Sequence, residues 1–250
     1  MKTFSELKAG NTAVGSFILS QDSGVVSIAD SAGLDFVVLD DEHGLFDETT
    51  VESYIKAVNG MEIDLFIRLT MSRLDKLGAY FDSNINGVIV AGCSSIEDVQ
   101  SVINSVKFHP EGKRGLNPFV RNGSFGLMDV TEFTYNSNRE SSIWIMAENE
   151  KLISQLDTIC ELTSLSGIFL GPYDLSMDMG MPGKTNSEEV INTLQRAVNI
   201  ALSNELPVGI FVDDVEQANY WIKKGVQFVI VGVDYATLAK SWQAIAKSFG

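Results

Sequence analysis

The amino-acid sequence predicts an α/β fold, the (β/α)8 TIM barrel, on three observations. Eight short apolar runs recur along the 250 residues, and segments with helical periodicity separate them. Each run is rich in β-branched residues and nearly continuous in apolar ones, as strands buried on both faces of a parallel sheet are. Eight strand–helix alternations in a chain of this length match the count and size of the barrel. An open doubly wound sheet predicts instead a glycine-rich phosphate loop after the first strand, and FILSQDSG is not one.

The predicted strands follow one another as short apolar runs of similar length. They are VGSFIL from Val14, FVVLD from Phe36, LFIRL from Leu65, GVIVA from Gly87, IWIMA from Ile143, GIFLG from Gly167, VGIFV from Val208 and FVIVG from Phe228. No low-complexity linker divides the chain. We therefore expect the strands and the helices between them to form one domain over residues 1–250.

The predicted helices are amphipathic stretches between the strands, such as SSIEDVQSVINSV and SEEVINTLQRAVNIALSNE. Ser94 and Ser187 are the predicted N-caps of these two, and two glutamates follow Ser187 in the first turn. The connection from Gly92 to Ser142 is unusually long. Its second half, FHPEGKRGLNPFVRNGSFG, is rich in Gly, Asn and Arg, and long irregular loops of this kind are usually functional or disordered.

Composition and charge indicate an ordinary globular protein that binds neither nucleic acid nor anionic membranes. The net charge is -15 and the pI is about 4.4, which repels polyanions. No apolar run approaches the roughly 18 residues that a membrane span needs, and the opening MKTFSELKAG lacks the apolar stretch of a signal peptide. Cys93 and Cys160 show no motif spacing and are predicted to be reduced packing residues. We therefore expect a cytoplasmic protein.

Side chains that can carry a proton, a metal or an anion follow the ends of the predicted strands. In barrel enzymes the active site lies at the carboxyl ends of the strands, so these side chains should meet at one rim. The set consists of acids, one histidine and one arginine: Asp40, Asp41, Glu42, His43, Arg68, Glu148, Asp174, Asp213, Asp214 and Asp234.

The chemistry of the side chains suggests roles for five members of this set. Glu148 and Asp174 offer the carboxylate oxygens that suit a hard divalent cation such as Mg²⁺ or Mn²⁺, which could polarise a carbonyl oxygen. Arg68 offers a planar, permanently charged donor to a carboxylate or an enolate. His43 is the natural proton carrier near neutral pH, and Asp40 could orient its imidazole.

Several of these residues also have structural interpretations. Acids at strand ends often cap helices, as we expect of Asp47 and Asp213, and the same role is open to Asp214 and Asp234. His109 in KFHPEG is interpreted as a loop residue rather than a ligand. One dense basic patch stands out in this acidic chain, and it either contacts an anionic substrate or is a solvated or subunit-facing loop. It consists of Lys107, Lys113, Arg114 and Arg121.

Several motifs in the same order make the chain resemble the HpcH/HpaI-type class II pyruvate aldolases, the 4-hydroxy-2-oxoheptanedioate / 2-dehydro-3-deoxyglucarate aldolase family. The resemblance covers nearly the whole length and is most specific in DFVVLDDEHGLFD, FIRL, PEGKRG, IMAENE, GIFLGPYDLSMDMGMPG and FVIVGVD. It implies a barrel of the phosphoenolpyruvate/pyruvate-domain-like kind. It also implies a carbon–carbon lyase that cleaves or forms 4-hydroxy-2-oxo acids through a pyruvate enolate.

Position by position, the resemblance implies a role for most of the site residues. Glu148 and Asp174 would hold the divalent metal, which would be Mg²⁺, Mn²⁺ or Co²⁺. Arg68 would contact pyruvate and stabilise its enolate oxygen. His43 and Asp40 would form an acid/base dyad that acts through a water. The pyruvate carboxylate would be received by the segment Gly171, Pro172, Tyr173 and Asp174, whereas Asp41 and Glu42 receive no role.

The resemblance also implies a homo-oligomer, a dimer or a hexamer, in which subunits exchange their last helix. The tail TLAKSWQAIAKSFG would be that helix. Its large apolar residues recur at spacings of three to four and would form a stripe to bury. They are Leu238, Trp242, Ile245 and Phe249.

The chain departs from the family pattern at the positions that face the second substrate. Leu69 and Thr70 follow Arg68 where most members have proline, and Tyr173 stands where a small residue is common. These departures leave open an alternative on the same scaffold, a citrate synthase of siderophore assembly that condenses oxaloacetate with acetyl-CoA. The basic patch could then bind the extra carboxylate or a CoA phosphate. A decayed, non-catalytic barrel is disfavoured because Asp40, His43, Arg68, Glu148 and Asp174 are all present.

Overall fold

The computed structural model describes Thr3, Leu7 and residues 10–249, and in this part of the chain eight parallel strands close into a barrel in sequence order. Each of the eight predicted runs forms a strand, so the predicted (β/α)8 fold is confirmed. The boundaries of a single domain at residues 1 and 250, and most of the opening segment, lie outside the described residues. The strands are β1 (Ala13–Ile18), β2 (Phe36–Asp40), β3 (Asp64–Thr70), β4 (Gly87–Ala91), β5 (Ser142–Ala147), β6 (Gly167–Leu170), β7 (Val208–Val212) and β8 (Phe228–Val233).

Helices connect successive strands on the outside of the barrel, with two short 3-10 turns at Met71–Lys76 and Arg121–Gly126. No helix among the described residues is both long enough and apolar enough to cross a membrane. The α-helices are α1 (Val25–Ser31), α2 (Glu48–Ala57), α3 (Leu77–Asp82), α4 (Ile96–Val106), α5 (Val130–Glu140), α6 (Glu150–Ile153), α7 (Leu156–Ile159), α8 (Pro172–Asp178), α9 (Glu188–Ser203), α10 (Val215–Ile222) and α11 (Asp234–Ser248).

Two of the predicted helix caps are confirmed, and two are displaced by one residue. Asp47 accepts the N–H of Thr50 at the start of α2, and Ser187 caps α9. The cap of α4 is not Ser94 but Ser95, because Ser95 has the extended backbone that a capping residue needs. Ser94 binds the carboxylate of Asp98 instead, through its N–H and its hydroxyl.

The same displacement occurs after β7. Asp214, and not Asp213, caps α10 by accepting the N–H of Gln217. The carboxylate of Asp213 thereby stays available to another partner. Asp234 is the first residue of α11, and its carboxylate accepts the N–H groups of Leu19 and Ser20 in the loop after β1.

Aromatic rings fill the inside of the barrel. Phe228 lies among them, stacked on Phe36 and Trp144 with ring centroids 4.0 and 4.4 Å apart. Glycines on neighbouring strands leave the space for such rings, because a Cβ at Gly167 would lie 2.2 Å from the Trp144 ring. The rings form a packed floor below the carboxyl ends of the strands. Their residues are Phe36, Phe66, Trp144, Phe169 and Phe228.

Two of the four cations of the basic patch, Lys107 and Arg114, are buried, so for these two the prediction of a solvated or substrate-contacting patch is corrected. Lys107 donates to the main-chain oxygens of Asn138 and Ser141, and burial lowers the pKa of its ammonium to about 8. Arg114 pairs with Asp82. These partners precede β4 and β5, so both cations lie at the amino ends of the strands, the end opposite to the predicted active site. Lys113 and His109 are exposed.

The last helix, α11, packs little against its own barrel. None of its residues, all of which the structure describes, is buried. The indole of Trp242 is 64% exposed and the side chain of Ile245 is 57% exposed. The predicted apolar stripe therefore exists, and the described residues of the chain leave it exposed.

Candidate functional site

A cavity of about 290 Å³ opens at the carboxyl ends of the strands, where the sequence predicts the active site. Its deep wall is the aromatic cluster, through Phe169 and Met146. The site residues Asp40, His43 and Arg68 line it from β2 and β3. Residues 171–174 line the opposite side, which begins at the end of β6. The strand order thus brings together side chains that are far apart in the sequence.

Arg68 is the most tightly held side chain of the cavity. Its Nε and Nη2 donate to the two oxygens of Asp40, at 2.8 and 2.7 Å, because β2 and β3 pair Asp40 with Arg68 directly. Its Nη1 lies 3.3 Å from Oε2 of Glu42. The ring of Phe17 lies under the guanidinium, 4.3 Å from its central carbon. The buried guanidinium is therefore fixed in one plane, with its remaining N–H groups available to an anion.

The structure does not join Asp40 to the imidazole of His43, as the predicted dyad requires. Both oxygens of Asp40 bind Arg68, and a bidentate ion pair is stronger than a hydrogen bond to a neutral ring. Asp40 instead accepts the main-chain N–H groups of Glu42 and His43, each at 3.3 Å. The histidine is exposed at the cavity mouth. Asp40 thus fixes the turn that carries His43, but does not orient its ring.

Glu148 is buried and only half satisfied. Its Oε1 accepts the N–H of Gly92 at 2.6 Å, while Oε2 has no hydrogen-bond partner. Burial raises the pKa of this carboxyl to about 7, and the negative charges of Asp174 and Glu42 act in the same direction. A buried carboxylate with one unpartnered oxygen, next to other acids, is electrostatically unfavourable, and a bound cation would stabilise it.

The residues present therefore fit a divalent cation. Glu148 and Asp174 would supply carboxylate oxygens. The lack of a side chain at Gly171 keeps the space next to the Glu148 carboxylate open. A Cβ at Gly171 would lie 2.9 Å from Cβ of Glu148 and 3.3 Å from its Oε2. Among the described residues no group of three His, Cys, Asp or Glu side chains is placed to hold a metal. Two protein ligands would leave positions for water and substrate, as hard cations in enzymes usually keep.

The segment Gly171–Asp174 offers fewer main-chain donors than its length suggests. The N–H of Gly171 already bonds to the oxygen of Ala147, at 3.4 Å, and Pro172 has no N–H. The amides of Tyr173 and Asp174 are in the first turn of α8 and have no acceptor within the helix. Of the four predicted residues, these two can donate to an anion.

Two acids that sequence reasoning left without a role have clear partners. Glu42 forms an ion pair with Nη1 of Arg68, whose Nε and Nη2 bind Asp40, and burial raises the pKa of its carboxyl although Arg68 opposes the shift. Asp41 is fully buried and pairs with Arg73 at 2.6 Å. Sequence spacing could have indicated only that Asp40 and Glu42 are two residues apart and so share one face of an extended segment. The pairing of Asp40 with Arg68 depends on strand register, and that of Asp41 with Arg73 depends on the 3-10 turn after β3.

Comparison with known proteins agrees with this geometry. The family model described as HpcH/HpaI aldolase/citrate lyase matches residues 13–241. A pyruvate aldolase of Rhizobium etli is 26% identical over 98% of this chain and 95% of its own length. A 4-hydroxy-2-oxo-heptane-1,7-dioate aldolase of Escherichia coli is 25% identical over 98% of this chain and 93% of its own. The crystal structure of citrate synthase SbnG superposes with a TM-score of 0.89 at 23% identity, covering 98% of this chain and 96% of that one, which shows a shared fold.

Proposed function

The chain belongs to the HpcH/HpaI aldolase/citrate lyase family, and from this premise we propose that it is a class II pyruvate aldolase, a carbon–carbon lyase. It would cleave a 4-hydroxy-2-oxo acid to pyruvate and an aldehyde and form the same bond in reverse. One observation carries the proposal. The guanidinium of Arg68, clamped by Asp40 and Glu42, lies within electrostatic reach of the half-satisfied carboxylate of Glu148. The aldolase names of the relatives support it.

The reaction requires a place for negative charge on the pyruvate half. In cleavage, the 4-hydroxyl loses a proton, the C3–C4 bond breaks, and its electron pair becomes the enolate of pyruvate. A proton added to C3 completes pyruvate, so that no net proton is consumed. Arg68 would donate to the oxygen on which the charge develops. Because Asp40 and Glu42 already fix its plane, little reorganisation is needed in the transition state.

The proposed metal ligands are Glu148 and Asp174, with Mg²⁺, Mn²⁺ or Co²⁺ as the ion. A divalent cation bound there supplies Lewis-acid polarisation of the 2-oxo group. The amides of Tyr173 and Asp174 would donate to the pyruvate carboxylate from the opposite wall. His43 would carry the proton of the 4-hydroxyl at the mouth of the cavity, directly or through a water. Asp40 would act through Arg68 and the turn, not through the imidazole.

Pyruvate release from a panel of 4-hydroxy-2-oxo acids, coupled to lactate dehydrogenase with and without EDTA, tests the function. We expect metal-dependent release from at least one member. Absence of pyruvate from every member, with or without added metal, would sink the proposal.

Substitution of Arg68 tests the site itself. We expect Arg68→Ala to lower kcat/KM by at least about 10³-fold, because it removes a fixed donor to the developing charge. Arg196→Ala is the control, since Arg196 is exposed on α9 and should leave kcat/KM unchanged. Circular dichroism of both variants checks the fold. Wild-type rates in a folded Arg68→Ala protein would remove the role that we propose for this residue.

The citrate synthase alternative has no specific support in the site. The likeness to that enzyme, at 23% identity, shows a shared fold and carries no argument for a shared activity. The basic patch that could bind a CoA phosphate has two of its cations buried at the other end of the barrel. Release of free thiol from acetyl-CoA and oxaloacetate by the purified protein would revive this alternative.

We also propose that the protein is a homo-oligomer whose subunits cover the apolar stripe of α11. The stripe is exposed in the single chain, and contiguous apolar surfaces on exposed helices are usually interfaces. The cytoplasmic location and the single domain expected from the sequence stay predictions. The small-molecule substrate follows from the proposed aldolase activity.

A further inference from the structure

We infer that the aldehyde partner of this enzyme is uncharged and hydroxylated rather than a carboxylate-bearing semialdehyde. The inference rests on the proposed aldolase function and specifies its second substrate. It depends on Tyr173, which lines the cavity, and on Asp213 after β7, which contacts Tyr173 and lines a second, neighbouring cavity. The phenolic hydroxyl of Tyr173 donates to the carboxylate of Asp213, with its oxygen 2.9 and 3.1 Å from Oδ2 and Oδ1.

The pyruvate half occupies the polar side of the cavity, so the aldehyde must lie toward the remaining wall. That wall is largely apolar and aromatic, through Phe17, Leu19, Phe211 and Val233. Phe211 contacts Phe17 and Tyr173, with ring centroids 5.7 and 6.1 Å apart. A short carbon chain fits such a wall, whereas a carboxylate there would lose its hydration without a compensating donor.

The described lining of the cavity offers no second arginine or lysine that could bind the carboxylate of an aldehyde. Among the described residues that line the cavity, Arg68 is the only arginine or lysine, and Asp40 and Glu42 already contact all three of its side-chain nitrogens. The remaining N–H groups of Arg68 are needed by pyruvate. Asp40 and Asp174 add negative charge to the same lining.

A longer aldehyde would meet still more negative charge. Beyond the Tyr173–Asp213 pair lies a second cavity of about 360 Å³, which shares Tyr173 and Phe211 with the first. Its lining in the described chain contains three acids and no lysine or arginine: Asp213, Asp214 and Glu216. Lys240 of α11 reaches the main-chain oxygen of Asp213 at 3.5 Å, but it lines neither cavity.

The Tyr173–Asp213 pair therefore selects among aldehydes in two ways. The carboxylate of Asp213 repels an aldehyde with an anionic terminus. Because a carboxylate only accepts hydrogen bonds, it can accept one from the hydroxyl of a neutral aldehyde. The phenol of Tyr173, which lines both cavities, can hydrogen-bond the same hydroxyl. Such a pair discriminates against a charged aldehyde because the carboxylate of that aldehyde would find no donor there. Unpaired charge is an effective basis for discrimination between substrates.

Matched aldehydes test the inference. Glyceraldehyde and 2-hydroxy-3-oxopropanoate have the same three carbons and differ only in a terminal hydroxymethyl or carboxylate group. We expect kcat/KM for aldol addition of pyruvate to be at least about tenfold higher for glyceraldehyde. Asp213→Asn should narrow that ratio severalfold, because it removes the local negative charge. Asp157→Asn, an exposed acid on α7 outside both cavities, makes the same change in net charge and should leave the ratio unaltered.

An experiment without aldehyde separates this inference from the proposed function. Exchange of the C3 protons of pyruvate with deuterium, followed by NMR, reports enolate formation alone. If exchange is absent, the aldolase proposal fails. If exchange occurs and the carboxylated aldehyde is used equally or better, the inference is overturned while the function stands. An unchanged ratio in Asp213→Asn, or an equal shift in Asp157→Asn, would remove Asp213 as the selecting residue.

Discussion

At the scale of single residues, Glu148 ties the stability of the protein to pH. Burial raises the pKa of its carboxyl from 4.5 to about 7. Between these two values the folded state holds a proton that the unfolded chain has lost. The contribution of Glu148 to stability therefore falls as the pH rises through this window, and the full cost of the buried charge is present above pH 7.

We expect Glu148→Gln to stabilise the metal-free protein at pH 8, by up to about 3 kcal/mol in the free energy of unfolding. At pH 4.5 the same change should have little effect, because the folded carboxyl is already neutral. Urea denaturation in EDTA at the two pH values measures the difference. Glu161→Gln is the control, because Glu161 is exposed, and it should change the free energy of unfolding by the same small amount at both pH values.

Added metal should make the wild type more stable than Glu148→Gln, the reverse of the order expected without metal at pH 8. Added Mg²⁺ or Mn²⁺ should raise the Tm of the wild type and leave that of Glu148→Gln nearly unchanged, because the amide is a poor ligand for a hard cation. Equal stabilisation of both proteins by metal would contradict the ligand assignment. Equal effects of the substitution at pH 4.5 and pH 8 would contradict the burial of the charge.

At the scale of elements, one ion pair fastens the end of β2 to the 3-10 turn after β3. Asp41 is fully buried, and Arg73 lies 2.6 Å away with a third of its side chain exposed. Tyr80 of α3 also donates to Asp41, at 3.4 Å. The pair joins the residues that follow Asp40 to the turn that follows β3, the strand that carries Arg68. It is structural, since Arg73 does not line the cavity.

We expect Arg73→Met to lower the free energy of unfolding by about 2 kcal/mol, because Asp41 would keep a buried charge without its partner. The matched control is Lys56→Met, which breaks the exposed pair of Lys56 with Glu52 on α2. That loss should cost less than about 0.5 kcal/mol. Similar costs for the two substitutions would show that burial of Asp41 does not control the strength of its pair.

The elements also mark how far a sequence can predict this structure. The strands are predictable because continuous runs of β-branched residues are typical of buried parallel strands. The residues of the rim are predictable because they follow the ends of those strands. The shift from Ser94 to Ser95 escapes prediction, and the sequence leaves Asp213 and Asp214 both open as caps, because a cap depends on the local backbone angles. The partner of Asp40 escapes it as well, since whether Arg68 or His43 binds that carboxylate is decided by strand register.

At the scale of the whole molecule, α11 presents an apolar stripe that is exposed in the part of the chain that the structure describes. Leu238, Trp242, Ile245 and Phe249 are all exposed, between 44% and 88%. Their burial in an assembly would supply much of its stability, because aromatic and aliphatic anchors dominate subunit interfaces.

We expect Ile245→Glu to shift the protein toward smaller species in size-exclusion chromatography with light scattering, because a carboxylate would be buried in the contact. Gln243→Glu adds the same charge to a polar position of the helix and should leave the molar mass unchanged. A molar mass of one subunit for the wild type would refute the proposed assembly. An unaffected mass for Ile245→Glu would move the contact away from this stripe.

The aromatic floor of the barrel has a kinetic consequence. Phe36, Phe66, Trp144 and Phe228 close the interior, so that molecules enter and leave the cavity through its mouth alone. In the proposed reaction, Arg68 and the amides of Tyr173 and Asp174 would hold pyruvate, and the aldehyde would lie nearer the mouth. The aldehyde would then depart first and pyruvate last, which makes the catalytic cycle ordered. Pyruvate would inhibit cleavage competitively with the hydroxy-oxo acid, whereas the aldehyde would inhibit it noncompetitively.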